Sequence, residues 1–226
     1  MSKAKRIDLH THSIFSDGEL LPSELLRRAS ALDHAAVAIT DHADASNMEP
    51  VIVQLKRLLE AQPDDFAAML LIGVELTHVA PASIDSLARR AKEIGAELVV
   101  VHGETLVEPV APGTNLAAAR SPYVDLLAHP GLITPETATT LAERGALCEL
   151  TARQGHCLAN GHVARVCAET GTLLVVNTDT HSPSDLATLA FAQAVAQGAG
   201  LSPEQVEQAT ITNPRRLVER VLAARR

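Results

Sequence analysis

The stretch RIDLHTHSIFSDG, residues 6–18, begins as an apolar strand and ends in two histidines and an aspartate. His10 and His12 stand two positions apart, and Asp17 follows five residues after His12. A strand that only filled a core would not end on two imidazoles, because buried imidazoles need polar partners. The stretch therefore predicts a strand whose carboxyl end carries a site, provided that other strands supply the partners.

Apolar strand-like runs alternate with helix-like segments along the whole chain. The pattern predicts seven strands, at residues 6–10, 36–40, 69–75, 97–102, 124–129, 146–150 and 173–179. It predicts helices that begin after Pro22 and after Thr134, and helices at 83–94, 182–196 and 202–224. Such alternation is typical of parallel strands joined by right-handed crossovers. We therefore expect one α/β domain over residues 1–226, a closed or nearly closed barrel, with a flat doubly wound sheet as the alternative.

The composition excludes several classes of protein. A chain of 226 residues that is 46% hydrophobic can bury a sizeable core. Its net charge of −8, its 2% aromatic content and its lack of Trp argue against a protein that binds nucleic acid. No apolar run reaches the length of a membrane span, and residues 1–6 do not read as a signal peptide. Three cysteines suit a reducing compartment, so we expect a cytoplasmic protein; the oligomeric state stays open.

Chemically active residues recur where the predicted strands end. Besides His10 and His12, these residues are Asp41, His42, Glu75, His102, His129, Asp179 and His181. The carboxyl ends of parallel strands share one face of a barrel, and active sites are built there. A single histidine at a strand end is more often a structural residue, but repetition on five strands is not expected by chance. Neutral imidazoles and carboxylates are the usual ligands of divalent cations, so the sequence predicts a metal site at this mouth.

Four histidines fall outside this pattern. His34 precedes the second strand at the opposite end of the barrel, where a structural or solvated role is expected. His78 follows the third strand by three residues and could line the rim. His156 and His162 lie together in TARQGHCLANGH, where His162 could begin a helix. None of the four is needed as a ligand.

Two further segments could contact a substrate. The longest irregular stretch, residues 103–123, is rich in Gly and Pro, and loops of this length are more often functional than idle. Its candidate contacts are Glu104, Glu108, Thr114, Asn115 and Arg120, for which a solvated loop is an equal alternative. Arg153 directly follows the sixth strand, so we expect it to project into the mouth and bind a phosphate through two hydrogen bonds. The alternative is an arginine in a surface loop.

Taken in order, the strand-end motifs resemble the PHP (polymerase and histidinol phosphatase) family. The motifs are HTH at 10–12, SDG at 16–18, TDH at 40–42, GVE at 73–75, His102, AHPG at 128–131, NTDTH at 177–181 and TNPRRL at 212–217. The resemblance covers nearly the whole chain and is strongest to short, single-domain members that are histidinol-phosphatase-like. It implies a distorted (β/α)7 TIM-like barrel, in agreement with the seven strands found from the pattern.

The resemblance also implies a site for three divalent metal ions with nine ligands. The first ion would bind His10, His12, Glu75 and Asp179; the second would share Glu75 and bind His102 and His129; the third would bind Asp17, His42 and His181. Some relatives have a histidine where this chain has Asp17. An oxygen ligand there favours Mn or Fe over Zn, so the identity of the metals stays open among these three.

The activity implied is hydrolysis of a small phosphate ester, such as histidinol phosphate, by a hydroxide that bridges two metal ions. Glu75 would hold the bridged pair, and Asp179, His181 or water would give a proton to the leaving group. The sequence contains no GxSxG elbow and no Walker-type phosphate loop. The prediction is a phosphomonoesterase. The alternatives are a phosphodiesterase or 5′–3′ exonuclease on short oligonucleotides, and a metal-binding PHP scaffold without catalysis.

Overall fold

A computed structural model describes residues 4–61 and 66–225, and a ring of parallel strands forms its centre. The strands are β1 (Arg6–Thr11), β2 (His34–Ile39), β3 (His42–Ala43), β4 (Met69–Leu76), β5 (Leu98–His102), β6 (Leu126–Ala128), β7 (Leu147–Thr151) and β8 (Leu173–Asn177). They pair in the order β1-β2-β4-β5-β6-β7-β8, and the short β3 pairs with β4 beyond the end of β2. A parallel bridge between Thr11 and Thr180 returns the ring to β1. The predicted α/β barrel of seven main strands is confirmed.

Helices connect successive strands and follow the last one. They are α1 (Pro22–Ala31), α2 (Met48–Ala61), α3 (Ile84–Ile94), α4 (Thr114–Arg120), α5 (Pro135–Arg144), α6 (Asn160–Thr170), α7 (Leu189–Gly198), α8 (Pro203–Glu207) and α9 (Asn213–Ala224). The local signals explain where helices begin and end: the Thr134 side chain accepts a hydrogen bond from Thr137 N, and α5 stops at Gly145 with φ 65°. Within the described residues, none of these helices combines the length and apolar character that a membrane span needs. The N-terminal segment is predicted not to be a signal peptide, and its residues 1–3 lie outside the described residues.

Three predicted boundaries differ from the structure. The helix expected at 182–196 begins only at Leu189, because Asp185 accepts hydrogen bonds from the backbone of residues 181 and 182 and holds a turn there. The expected helix at 202–224 contains a π-helical turn at Gln208–Thr212, just before Pro214, which has no N–H to continue a regular ladder. The expected loop 103–123 contains α4.

The C-terminal helix closes the end of the barrel where the strands begin. Leu217, Val218 and Val221 of α9 pack in one apolar cluster with strand residues from around the ring. Arg220 contacts Asp125 and Arg225 contacts Glu97, two carboxylates that immediately precede strands β6 and β5. A second, larger apolar cluster lies between the strands and the surrounding helices. The end at which the strands stop is therefore left as the open mouth of the barrel.

Side chains close the seam between β1 and β8. Asp8 accepts hydrogen bonds from Thr178 Oγ1 at 2.7 Å and from Thr178 N at 3.2 Å. Asn177 Oδ1 accepts one from Leu9 N at 3.0 Å. Arg6 Nη2 lies 3.0 Å from Asp8 Oδ2, and both side chains are buried. A buried carboxylate thus joins the first strand to the segment that follows the last.

Replacing Asp8 with Asn should lower the free energy of unfolding by about 3 kcal/mol, because Arg6 would keep its charge in a buried position without its counterion. Urea denaturation of the metal-free protein measures this change. The matched control is Glu169→Gln, which removes the carboxylate of an exposed pair with Arg165 and should cost less than about 1 kcal/mol. Equal losses in the two variants would contradict a special role for the buried pair.

Candidate metal centre

The carboxylate of Glu75 lies at the centre of the mouth, fully buried among imidazoles. Its Oε1 is 3.3 Å from His10 Nε2 and 3.6 Å from His129 Nε2. Its Oε2 is 2.8 Å from His42 Nδ1 and 3.7 Å from His12 Nε2. The pairing of β3 with β4 produces part of this arrangement, since it sets His42 opposite Glu75. The carboxylate therefore lies among imidazoles from several strand ends, within reach of ligands that the resemblance assigns to different cations.

Asp179 brings a second carboxylate to the same imidazoles. Its Oδ1 lies 3.1 Å from His12 Nε2 and 3.7 Å from His10 Nε2, and its Oδ2 lies 3.6 Å from His129 Nε2. Asp179 has φ 52° and His129 has φ 24°, backbone angles in the left-handed region that residues other than glycine rarely adopt. Such residues cost on the order of 1–3 kcal/mol each and cluster at functional sites. Backbone strain is thus concentrated where these strand ends meet.

A third group lies at the outer edge of the mouth. Asp17 Oδ1 is 3.1 Å from His181 Nε2 and 3.4 Å from His42 Nε2, and the aspartate side chain is half-exposed. Ligand atoms of these three residues and of His12 lie within 4.8 Å of one another. Asp41, the remaining strand-end acid, accepts hydrogen bonds from Ser13 and so holds the turn after β1 instead. The loop carrying Asp17 is thereby positioned over the mouth.

Buried polar atoms in the mouth lack hydrogen-bond partners among the described residues. They are His10 Nε2, both ring nitrogens of His12 and of His129, Glu75 Oε1 and Asp179 Oδ1. Unpaired buried polar atoms are costly, and burial lowers the pKa of His12 and of His129, which favours their neutral form. A neutral imidazole carries a lone pair, which is what a metal ion requires. The nitrogen and oxygen atoms of the mouth therefore fit divalent cations, because a bound cation would give these unpaired buried atoms their partners.

Three groups in the mouth hold protons that a cation would have to displace. Burial lowers the pKa of His10, but the carboxylates of Glu149, Glu75 and Asp179 outweigh burial and raise it well above its usual value. Burial lowers the pKa of His42, but the carboxylates of Glu75 and Asp17 outweigh burial and raise it to about 10. Burial raises the pKa of Asp179, and the value reaches about 7 although His10 opposes the change. In the absence of cations, His42 is therefore charged near neutral pH and Asp179 is partly protonated.

A buried carboxylate that sequence reasoning missed orients one of the predicted ligands. Glu149 of β7 accepts a hydrogen bond from His10 Nδ1 at 2.8 Å and another from Asn177 Nδ2 at 2.9 Å. Because Nδ1 keeps its proton for Glu149, a cation would bind His10 through Nε2, the atom that faces Glu75 and Asp179. The only sequence signal was an acid inside the apolar run ALCEL, residues 146–150.

His102 lies at the rim beside a loop glutamate and two histidines outside the strand ends. Glu108 Oε2 is 3.1 Å from both His102 Nε2 and His78 Nε2, and Glu108 Oε1 is 3.2 Å from His156 Nε2. Nitrogens of His102, His129 and His156 lie within 4.8 Å of one another. His156, which the sequence pattern does not require as a ligand, therefore lies beside two of the predicted ligands. The sequence does not predict this position of His156, because it depends on how the segment after β7 folds back over the mouth.

The remaining candidates take structural positions. Glu104 Oε1 accepts hydrogen bonds from the backbone of residues 113 and 115, and Asn115 binds Glu104 N and Pro130 O, so both shape their own loop. Thr114 Oγ1 donates to Ala111 O within that loop, and Arg120 pairs with Glu136 on the surface. His34 begins β2 at the closed end and is buried, and His162 contacts Ile133 O from α6.

Arg153 lies at the mouth, as the sequence predicts, and not on the outer surface. Its Nη1 is 2.6 Å from His181 Nδ1 and donates to Asp179 O at 3.2 Å, while its Nε lies 3.5 Å from Asp179 Oδ2. A cleft of about 470 Å³ opens beside it and is lined by Gln154, Thr178, Ser184, Asp185 and Phe191 among others. The arginine thus connects the ligand cluster to an open cleft. Binding of phosphate by Arg153 stays a prediction, as does the assignment of the nine ligands to three ions.

A parallel barrel with imidazoles and carboxylates at the carboxyl ends of its strands is typical of metal-dependent barrel enzymes. The PHP domain family matches residues 8–143, more than half of the chain. An uncharacterized protein of Methanocaldococcus jannaschii is 49% identical over 219 residues, which span 96% of this chain and 100% of that protein. The chain belongs to the PHP domain family, as its motifs predict.

Two further comparisons agree with this family. A protein of Syntrophotalea carbinolica named "Probable phosphatase" is 24% identical over 91% of this chain and 92% of its own length. The crystal structure of histidinol phosphate phosphatase from Lactococcus lactis, complexed with Zn, L-histidinol and phosphate, shares the fold with a TM-score of 0.59 at 16% identity. That similarity covers 97% of this chain and 94% of the other. The predicted enzyme class, a metal-dependent phosphoesterase, is confirmed at the level of the family.

Binding of divalent cations to the metal-free protein should release protons near pH 7, because His10, His42 and Asp179 must give up protons to act as ligands. For the same reason the affinity for cations should fall as the pH is lowered through about 7, the pKa of Asp179. Calorimetric titration in two buffers of different ionisation enthalpy measures the number of protons released. Binding without proton release would exclude all three residues as ligands.

Proposed function

We propose that the protein is a phosphomonoesterase that hydrolyses a small phosphate ester, with histidinol phosphate as the first candidate. The observation that carries this proposal is the buried Glu75 carboxylate, which lies between two imidazoles proposed for the first ion, His10 and His12, and one proposed for the second, His129. A carboxylate in this position suits two cations held side by side, the arrangement that favours hydrolysis of phosphate esters. The family match supports the reaction class.

We assign nine residues to three divalent ions, which could be Zn, Mn or Fe. The proposed groups are His10, His12, Glu75 and Asp179; Glu75, His102 and His129; and Asp17, His42 and His181. The close sets of ligand atoms around His12 and around His102 support the grouping. The three carboxylates would leave a loaded mouth with excess positive charge, which suits a dianionic monoester better than a monoanionic diester.

Bound divalent ions would lower the pKa of a water molecule toward neutrality and offset negative charge on the phosphate. The residues of the chain would position the reaction. Glu75 would fix the spacing of the ligand groups, because its carboxylate contacts both sides of the mouth. Arg153 would bind the phosphate from the cleft side, where its guanidinium already contacts His181 and Asp179. Asp179 Oδ2 and the His181 imidazole, both in contact with Arg153, would give a proton to the leaving group.

We further propose that the chain acts as a single domain in the cytoplasm. Residues from every main strand or the segment after it contribute to one mouth, so the barrel is the functional unit. Cys148, Cys157 and Cys167 are all free thiols, which agrees with a reducing compartment. The acidic net charge of −8 and the scarcity of aromatic residues support a small phosphorylated substrate over an oligonucleotide.

The test is a comparison of substrates with protein of known metal content. The protein is stripped, reloaded with Zn, Mn or Fe, and offered p-nitrophenyl phosphate, bis-p-nitrophenyl phosphate, histidinol phosphate and a short oligonucleotide. Two to three bound ions with turnover of monoesters alone would support the proposal. Turnover of only the diester or the oligonucleotide would replace it with the phosphodiesterase or nuclease, and metal binding with no turnover would favour a scaffold.

Replacing Glu75 with Ala should remove the two ions that it is proposed to share and abolish turnover, because both ions would lose the carboxylate between them and Asp179 is proposed as a ligand of the first ion alone. Elemental analysis after gel filtration and monoester hydrolysis measure the two effects. Glu169→Gln, an exposed acid on α6, serves as the control. A Glu75→Ala protein with full metal content and turnover refutes the bridging role.

Replacing Arg153 with Ala should raise KM for a phosphate monoester about 10- to 100-fold, the loss expected when a charge-assisted hydrogen bond to phosphate is removed. Metal content should stay unchanged, since an arginine is not a ligand. Steady-state kinetics with elemental analysis provide the measurement, and Arg120→Ala removes an exposed arginine as the control. Unchanged kinetics would contradict phosphate binding by Arg153 and leave it a purely structural role.

A further inference from the structure

We propose that His156 is a tenth metal ligand, which joins His102 and His129 at the second ion, and that Glu108 orients it. This inference rests on the proposed metal centre but not on the identity of the substrate. The sequence pattern gives His156 no role, because it lies outside the strand ends. It begins a short 3₁₀ turn at His156–Ala159, which leads into α6.

The position of His156 is the first argument. Its ring centroid lies 4.5 Å from that of His129 and 5.8 Å from that of His102. Nitrogens of the three residues lie within 4.8 Å of one another, and all three side chains are buried. Two ligands of one ion, each bound at about 2.0–2.1 Å, lie roughly 3–4 Å apart. Three imidazoles this close need only a small adjustment to share a cation.

The hydrogen-bonding state of His156 is the second argument. Its Nε2 lies 3.2 Å from Glu108 Oε1, so the carboxylate favours a proton on Nε2. Its Nδ1 then carries the lone pair, and this buried atom has no hydrogen-bond partner among the described residues. His10 has the same two features: Nδ1 bonds to Glu149, and Nε2 is buried without a partner. A carboxylate on one nitrogen and a free lone pair on the other is the usual state of a ligating histidine.

The loop between β5 and α4 holds Glu108 in place for this role. Glu104 of that loop accepts hydrogen bonds from the backbone of residues 113 and 115, which fastens the end of the loop to its beginning. Glu108 Oε2 is also 3.1 Å from His78 Nε2. His78 has φ 52°, so its backbone adopts a strained conformation at the point where it contacts the glutamate. The carboxylate is therefore fixed from two sides.

A second ion bound by three imidazoles would prefer zinc, since nitrogen-rich sites favour zinc over manganese. The ion near Asp17 would bind only two imidazoles, those of His42 and His181, and need not share this preference. His156 would thus make the centre selective for a different metal at each side of the mouth.

The experiment compares wild-type protein with His156→Asn and with His162→Asn. His162 is the matched control, because it lies six residues later and contacts Ile133 O instead of the mouth. Each metal-free protein is titrated with Zn²⁺ against a chromophoric chelator, and the visible absorption of the Co²⁺-loaded form is recorded. Loss of a ligand at one ion should weaken one class of zinc site about 10- to 100-fold and change the Co²⁺ spectrum in His156→Asn alone.

A second variant separates orientation from ligation. Glu108→Ala should weaken the same class of zinc site by a smaller factor, because His156 remains present but loses the bond that fixes its tautomer. Circular dichroism of the metal-free variants checks that each is folded. Zinc affinities and Co²⁺ spectra of His156→Asn equal to those of the wild type would overturn the inference while leaving the nine-ligand centre intact. A wild-type protein that binds no cation would overturn both.

Discussion

The buried carboxylate of Glu75 is the constraint on which the mouth depends. A carboxylate removed from water needs compensating positive charge or hydrogen bonds, and here four imidazoles surround it. His10 and His12 lie at the end of β1, His42 lies in β3, and His129 directly follows β6. The charge of Glu75 therefore fixes how close these three parts of the ring lie to one another. The protein can satisfy this cluster with protons or with cations, and the two compete for the same atoms.

The seam of the barrel and the mouth share one polar network. Asn177 accepts a hydrogen bond from the backbone of β1 and donates one to Glu149, which in turn fixes the ring of His10. The contact that closes the ring of strands is thus two hydrogen bonds away from a proposed ligand. Support of this kind, in which the scaffold fixes each side chain in advance, is what gives a metal site its geometry.

Much of the fold and the mouth could be predicted from the sequence because both follow a simple rule. Parallel strands stop at one face, so residues at strand ends such as His102 and His129 meet there whatever the details of the helices. Glu149 and His156 escaped prediction for physical reasons. Glu149 lies inside a strand, where its direction depends on the register, and His156 depends on a turn with no periodic pattern. The late start of α7 likewise depends on one side chain, that of Asp185.

Because α9 fills the end of the barrel where the strands begin, a cation, a substrate and its products would all pass through the mouth in the part of the chain that the structure describes. For the proposed phosphomonoesterase, the alcohol product would have no contact with the metal ions and would leave before the phosphate. Inorganic phosphate would then be the last product to leave, and its accumulation would slow turnover by occupying the mouth.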